Sequence, residues 1–147
     1  MTNVLTGHDM AEAIESGVPG SVIKSDNSNV WVEPHSILEV SKILKNPAGL
    51  DFSYLLSISA VDYIENFELV YHLVSMRNNY SGIVKLSCSG RLEPSVPSVI
   101  EVWQGADLQE REIWDLMGIK FEGHPNLKRI LLWEGFEGHP LRKDYLG

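Results

Sequence analysis

One cysteine, Cys88, stands in 147 residues. That excludes an internal disulfide and any four-cysteine zinc or iron–sulfur site built from this chain alone. Cys88 is expected to pack as a small apolar group, and a reducing, cytoplasmic setting fits such sparse use of cysteine. No run approaches the ~18–20 apolar residues that cross a bilayer, and no basic stretch followed by an apolar one marks a leader. Positive charge is also scarce, with 12 Lys and Arg against 20 Asp and Glu and a net charge of −8. Nucleic-acid binding needs Lys and Arg to neutralise phosphates, and adsorption to anionic lipid needs the same, so the balance argues against both. No G-x-G-x-x-G follows a strand pattern and no G-x-x-x-x-G-K-[ST] occurs, so nucleotide binding has no support. Ser87-Cys88-Ser89 is not a nucleophile elbow.

What is present reads as one globular domain, with 44% apolar and 22% charged residues. Residues 9–16 suit a short helix with Met10, Ala13 and Ile14 on one side, stopped by Gly17 and Gly20. Residues 21–24 and 29–33 read as strands joined through Asp26, Asn27 and Ser28. Pro34 can open a helix whose apolar positions are Ile37, Val40, Ile43 and Leu44, closed by Asn46-Pro47. Phe52, Tyr54, Leu56, Ile58 and Ala60 alternate like a strand with one core face, as do Phe67, Leu69, Tyr71 and Leu73. A turn at 77–80 leads to a third strand, 83–88, with His72 a cross-strand surface residue on the second. Pro94 and Pro97 precede a short helix near 98–103. The order predicts an α+β fold: a single two-layer domain, helices on one face of a mainly antiparallel, mixed five-stranded sheet, with an extended C-terminal tail. The core is expected over residues 1–118 and the tail over 119–147.

The stretch from Asp107 to Tyr145 carries most of the information. Asp107 and Glu110 have capping-box spacing, and Gly118 sits where a left-handed cap is wanted, which predicts a helix over 107–117. Its apolar side is Leu108, Ile113, Leu116 and Met117, with Glu112 inside that arc and Glu110, Arg111, Trp114 and Asp115 on the other side. A carboxylate aimed at a core must find donors, and Lys128, Arg129, Arg142 and Lys143 follow downstream. Glu112 is therefore expected to form a structural ion pair pinning the tail to the helix. A proton-handling role would need a second carboxylate or nucleophile spaced to work with it, and none is.

Beyond Gly118, Gly123, Gly135 and Gly138 with Pro125 and Pro140 break long elements, and only 127–133 is apolar enough for a short one. Phe121, Ile130, Leu131, Leu132, Trp133, Phe136 and Tyr145 are too apolar for a solvated tail. The segment is expected to lie extended and bury them, in part against another protein. Charge agrees: residues 1–119 carry seven Lys/Arg against sixteen Asp/Glu, whereas 120–147 carry five against four. Aromatics with Arg favour protein contact.

Two G-H-P triplets recur, at 123–125 and 138–140, and read as turn punctuation. His124 and His139, with His72, Glu122 or Glu137, raise a metal site as an alternative, but histidines fifteen apart lack metal-ligand spacing. A free-standing His-based hydrolase or metal enzyme using His124, His139 and Glu112 is the reading that metal analysis of the purified chain would decide.

E-R-E-I-W-D-L-M-G-I-K-F-E-G-H-P-N-L-K-R-I-L, followed by G-F-E-G-H-P-L-R-K-D-Y, resembles the signature of the C-type subunit of NADH-quinone oxidoreductase, the 30 kDa subunit family of respiratory complex I. Related subunits occur in chloroplast-type, coenzyme-F420 and membrane-bound hydrogenase complexes. The similarity extends upstream through V-P-S-V-I-E-V-W-Q-G-A-D-L. Leu108 stands where an aromatic is common, and Asn126 and Lys128 replace the usual Asp and Arg. The resemblance makes Glu110, Arg111, Glu112, Asp115, Gly118, Gly123, His124, Pro125 and Arg129 a structural signature. It makes Phe136, His139, Pro140, Arg142, Lys143, Asp144 and Tyr145 partner-binding, with Arg142 and Lys143 expected to meet partner carboxylates. It implies no catalytic, cofactor-binding or metal residue in this chain. NADH, flavin, iron–sulfur clusters and quinone would sit in other subunits. The implied partners are the hydrogenase-large-subunit-like D-type subunit, which helps form the quinone site, and neighbouring iron–sulfur subunits. The implied location is the cytoplasmic side of the cell membrane, reached only through the complex. The same fold in a membrane-bound nickel–iron hydrogenase or a ferredoxin- or F420-linked dehydrogenase is the alternative.

Overall fold

The computed structural model describes residues 3–147. Thr6 opens the first helix, its hydroxyl accepting from the Asp9 amide, and α1 runs Gly7–Gly17 with Met10 and Ile14 buried one turn apart. Gly7 is needed there, because a Cβ would strike the carbonyls of Asp26 and Asn29 in the neighbouring hairpin. That hairpin is β2 (Val22–Ser25) and β3 (Asn29–Val32), and the Asp26 carboxylate closes its turn by accepting from Ser28 and Asn29. Pro34–Ser36 form one 3₁₀ turn that leads into α2 (Ile37–Lys45), which buries Ile37, Val40 and Leu44 at helical spacing.

Three long strands follow: β4 (Tyr54–Asp62), β5 (Asn66–Ser75) and β6 (Tyr80–Ser89). They are antiparallel neighbours, and β3 joins β6 in parallel, giving the order β2-β3-β6-β5-β4. A sixth strand absent from the sequence reading, β1 (Asn3–Val4), extends the sheet by pairing parallel with β6. The sheet is therefore mixed, in an α+β domain.

On β5 and β6 alternation is strict: Phe67, Leu69, Tyr71 and Leu73 point inward beside Val84, Leu86 and Cys88. Gly82 on the same face leaves room for Met10 and Phe52, which a Cβ would hit. His72 faces outward at half burial, with the Ser57 hydroxyl 3.0 Å from its Nδ1. On β4 the predicted parity fails. A bulge between Leu55 and Ser57 switches the inward set, so Leu55 and Ile58 are buried while Tyr54 and Leu56 are exposed.

The helix expected at 98–103 is also absent. Residues 95–97 form β7, which pairs parallel with β8 (Lys120–Glu122), and tight turns from Val99 carry the chain into α3 (Ala106–Met117). Trp103 is buried there, its indole N–H donating to the Phe52 carbonyl at 2.9 Å. Helix α3 packs along the outer edge of β4, where the Gln109 side-chain oxygen accepts from the Ile58 amide at 2.6 Å. One contiguous core joins the sheet face, the three helices and β8.

Candidate functional site

The polar side of α3 and the segment after it share a dense network of side-chain hydrogen bonds. The helix ends at Gly118, whose φ of 78° is left-handed, as its sequence predicts. Its start differs: the cap is Gly105 with no side-chain bond, and Asp107 and Glu110 do not make a capping box. Glu110 is instead fully buried, with Ser98 Oγ donating to Oε1 at 2.5 Å and the Val99 amide to Oε2 at 2.9 Å. Burial pushes its pKa up to about 7 against those two bonds, and the nearby Asp107 charge adds to the rise. The hydroxyl of Tyr71 lies buried and unpartnered in the same core. Its ionisation is driven well above the usual range, first by burial and then by the Glu110 charge.

Helix α3 is turned from the orientation its apolar residues predict. The buried set is Ala106, Glu110, Ile113, Asp115 and Met117, while Glu112 and Leu108 are exposed. The reason lies downstream: the tail crosses the helix and covers Asp115, which the sheet alone would leave in solvent. A carboxylate does pin tail to helix, but it is Asp115 and not Glu112. Asp115 Oδ2 accepts from three successive amides, Ile130 at 3.1 Å, Leu131 at 2.7 Å and Leu132 at 2.9 Å. Its Oδ1 takes Arg129 at 2.8 Å. Burial raises the pKa of this carboxyl, but Arg129 and the three amides outweigh it and hold the group at about 2.

Arg129 is spent entirely inside the chain. Besides the Asp115 carboxylate it donates to the Asp115, Phe136 and Gly138 carbonyls, each at 2.8 Å, and it lies 5.6 Å over the Phe136 ring. Arg111 donates to the Lys128 and Arg129 carbonyls. His139 bonds the Asp115 carbonyl through Nδ1 at 3.0 Å and packs tilted against Trp114, with ring centroids 5.1 Å apart, and the Leu141 amide donates to the Leu116 carbonyl. The 127–133 run thus forms no regular element and is shaped by side chains of α3.

A second anchor holds the far end. Buried Asp62, at the end of β4, receives Arg91 through both oxygens, at 2.5 and 3.0 Å, and the Lys143 amide at 2.8 Å. Chiefly the Arg91 bond holds its carboxyl far below the usual range, against the cost of burial. Arg91 also meets Asp144 at 3.1 Å, and Arg142 bonds Asp144 and the Arg91 carbonyl. Both guanidiniums lie over the Phe67 ring. Arg142 is thus engaged within the chain rather than projecting toward a partner, while Lys143 is exposed.

His124 lies in a turn, its Nδ1 accepting from the Asn126 amide and its Nε2 next to Asp107 at 3.1 Å. Gly123 just before it has φ 84°, and Pro125 is exposed. Among the described residues no three His, Cys, Asp or Glu side chains gather as a metal-binding group. Cys88 is buried, and burial raises its thiol pKa to about 12. Pro140 is half-buried, and Phe136 packs between Trp133 and Tyr145, with ring centroids 6.2 and 6.5 Å away. Around this cluster large apolar side chains remain open to solvent, notably Leu131 at 59%, Trp133 at 70% and Leu141 at 60% exposure. Sequence reasoning missed the roles of Asp115 and of the Asp62–Arg91 pair. The resemblance named Asp115 and Arg129 as signature residues without saying what they do, and the pinning role went to Glu112.

The profile of the family described as respiratory-chain NADH dehydrogenase, 30 Kd subunit, matches residues 30–147. The chain belongs to this family. The matched span takes in β3 onward, including all of α3 and the tail. Among curated relatives, the second C-type NADH-quinone oxidoreductase subunit of Rhizobium meliloti (strain 1021) is 46% identical over 117 residues, covering 78% of this chain and 63% of that protein. The C-type NADH-quinone oxidoreductase subunit of Roseiflexus castenholzii is 41% identical over 138 residues, 89% of this chain and 79% of that protein. The chain thus spans less than two-thirds of the Rhizobium relative. A chain in the structure of the membrane-bound sulfane sulfur reductase, an archaeal respiratory membrane complex, superposes with a TM-score of 0.76 at 26% identity, covering 95% of this chain and 85% of that one. Among the described residues no helix is long and apolar enough to cross a membrane.

Proposed function

We propose that this 30 kDa family member is the cofactor-free C-type subunit of a proton-translocating NADH-quinone oxidoreductase, in whose peripheral arm it supports the D-type, quinone-site subunit and the assembly of the complex. Family membership over residues 30–147 supports the complex. The observation that carries the supporting role is a tail fixed to α3 that leaves Leu131, Trp133 and Leu141 in water. Exposed large apolar groups beside an internally satisfied polar framework are the composition of an interface anchor. On this reading the chain contributes packing and no reacting group, while NADH, flavin, clusters and quinone belong to its neighbours. It meets the membrane, on the cytoplasmic side, only through the complex.

The reading also revises which residues meet the partner. Arg142 and Asp144 already satisfy each other, so the first contacts fall to the apolar side chains, with Lys143 as a polar flank. Identities of 39–46% to NADH-quinone oxidoreductase subunits, against 26% to the sulfane sulfur reductase chain, support an NADH-linked complex as the reading proposed.

Affinity purification of the full chain from membranes tests both levels. The reading expects the quinone-site subunit and a flavin-containing, NADH-oxidising assembly in the eluate. It expects a Leu131→Ala/Trp133→Ala variant, folded by circular dichroism, to recover far less of that subunit, since each anchor is worth about 2 kcal/mol or more. Equal recovery of the quinone-site subunit by the double variant would refute the docking role. An assembly without flavin would move the chain to a hydrogenase- or ferredoxin-linked complex.

A further inference from the structure

The hydrogen bonds of the docking segment raise the question of when it takes its shape. Segments that order only on contact leave their own backbone polar groups open and satisfy them with the partner. Here the opposite holds. The amides of Ile130, Leu131 and Leu132 end on one Asp115 oxygen, and Arg111 takes the Lys128 and Arg129 carbonyls. Arg129 ties Asp115 to the Phe136 and Gly138 carbonyls. Asp115 is fully buried beneath this arch, whereas Leu131 and Trp133 stand out from it.

We propose that Asp115 is the positioning residue of the docking segment: its carboxylate gathers three successive amides and fixes residues 129–132 in the free chain, so that Leu131 and Trp133 enter an apolar cleft of the quinone-site subunit as preformed anchors. The inference rests on the docking reading above and adds its order of events, shape before contact. The receiving surface is apolar rather than charged, because the tail is nearly neutral, with five basic against four acidic groups beside a strongly acidic body, and its exposed anchors are Leu131 and Trp133. A rigid segment associates faster than one that must rearrange on binding, and it loses less freedom when bound.

Hydrogen exchange on the free full-length chain is the test. The amides of Ile130, Leu131 and Leu132 are expected to exchange about 100-fold or more slowly than an unstructured chain. Asp115→Asn, which keeps the shape but lowers the acceptor strength, should raise exchange at those three amides with β5 unchanged. It should also slow association with the purified quinone-site subunit about tenfold. Exchange of the wild-type amides at unstructured rates would overturn the proposal and leave docking intact. Unchanged binding by Leu131→Ala/Trp133→Ala would overturn the docking reading itself. Concentration-dependent self-association that buries Trp133, seen by sedimentation, would assign the anchors to a second copy and also overturn the proposal. If Asp115→Asn does not fold, the wild-type exchange decides alone.

Discussion

Two carboxylates on α3 lie five residues apart, both fully buried, and are driven in opposite directions. Asp115 is surrounded by donors and stays ionised, whereas Glu110 has two donors and mostly apolar neighbours. Their effects on stability are therefore opposite in sign. A raised folded pKa gives stability that is complete below the unfolded value of 4.5 and is lost as pH rises through about 7. Glu110→Gln should accordingly melt above the wild type at about pH 8, with the difference fading toward pH 4.5, read by thermal melts across that range. For Asp115 the depressed pKa gives stability present above 3.8 and lost as pH falls toward about 2. Asp115→Ala strands Arg129 and three amides and should cost about 3–5 kcal/mol in urea unfolding at neutral pH.

At the level of elements, the turn from α3 into the tail is a tightly constrained joint. Gly118 combines a φ of 78° with the His139 ring and Arg142 guanidinium packed where a Cβ would stand. Gly118→Ala should cost about 1–2 kcal/mol for the left-handed backbone alone and more for the displaced ring. Calorimetry would show the loss, and the near-ultraviolet signal of Trp114, which packs tilted against His139, would show the displacement. This joint was legible in the sequence, because a glycine after an apolar helical stretch has one common use. The strands were legible as well, since β5 and β6 alternate without interruption. Short β1 and the β7–β8 pair were not, and neither were two features of side-chain direction. The β4 bulge shifts parity by one residue through backbone hydrogen bonding, which leaves no mark in apolar spacing. The buried face of α3 is set partly by the tail, so polar Asp115 is covered while Leu108 is not. Apolar periodicity reports only burial against apolar surfaces, and here a helix is buried against its own hydrogen-bonded tail.

Across the whole molecule, the family was readable from the run between Glu110 and Tyr145, whereas the use of individual residues was not. The side chains with the strongest partner-binding chemistry, Arg129 and Arg142, are consumed within the chain. Leu131 and Trp133, which remain exposed, were among the side chains expected to be buried in part against another protein. The tail is attached at two separate places, to α3 through Asp115 and to β4 through Asp62. The second attachment joins residues 81 positions apart in the chain. Closing so long a loop is entropically slow, and partners this distant are rarely in place when the folding barrier is crossed. Substitutions that weaken the Asp62 attachment should therefore speed unfolding and leave the refolding rate nearly unchanged, as stopped-flow chevrons would report. The C-terminal clasp is in that sense a latch on a door already shut: it governs how long the native chain lasts, not how quickly it is reached.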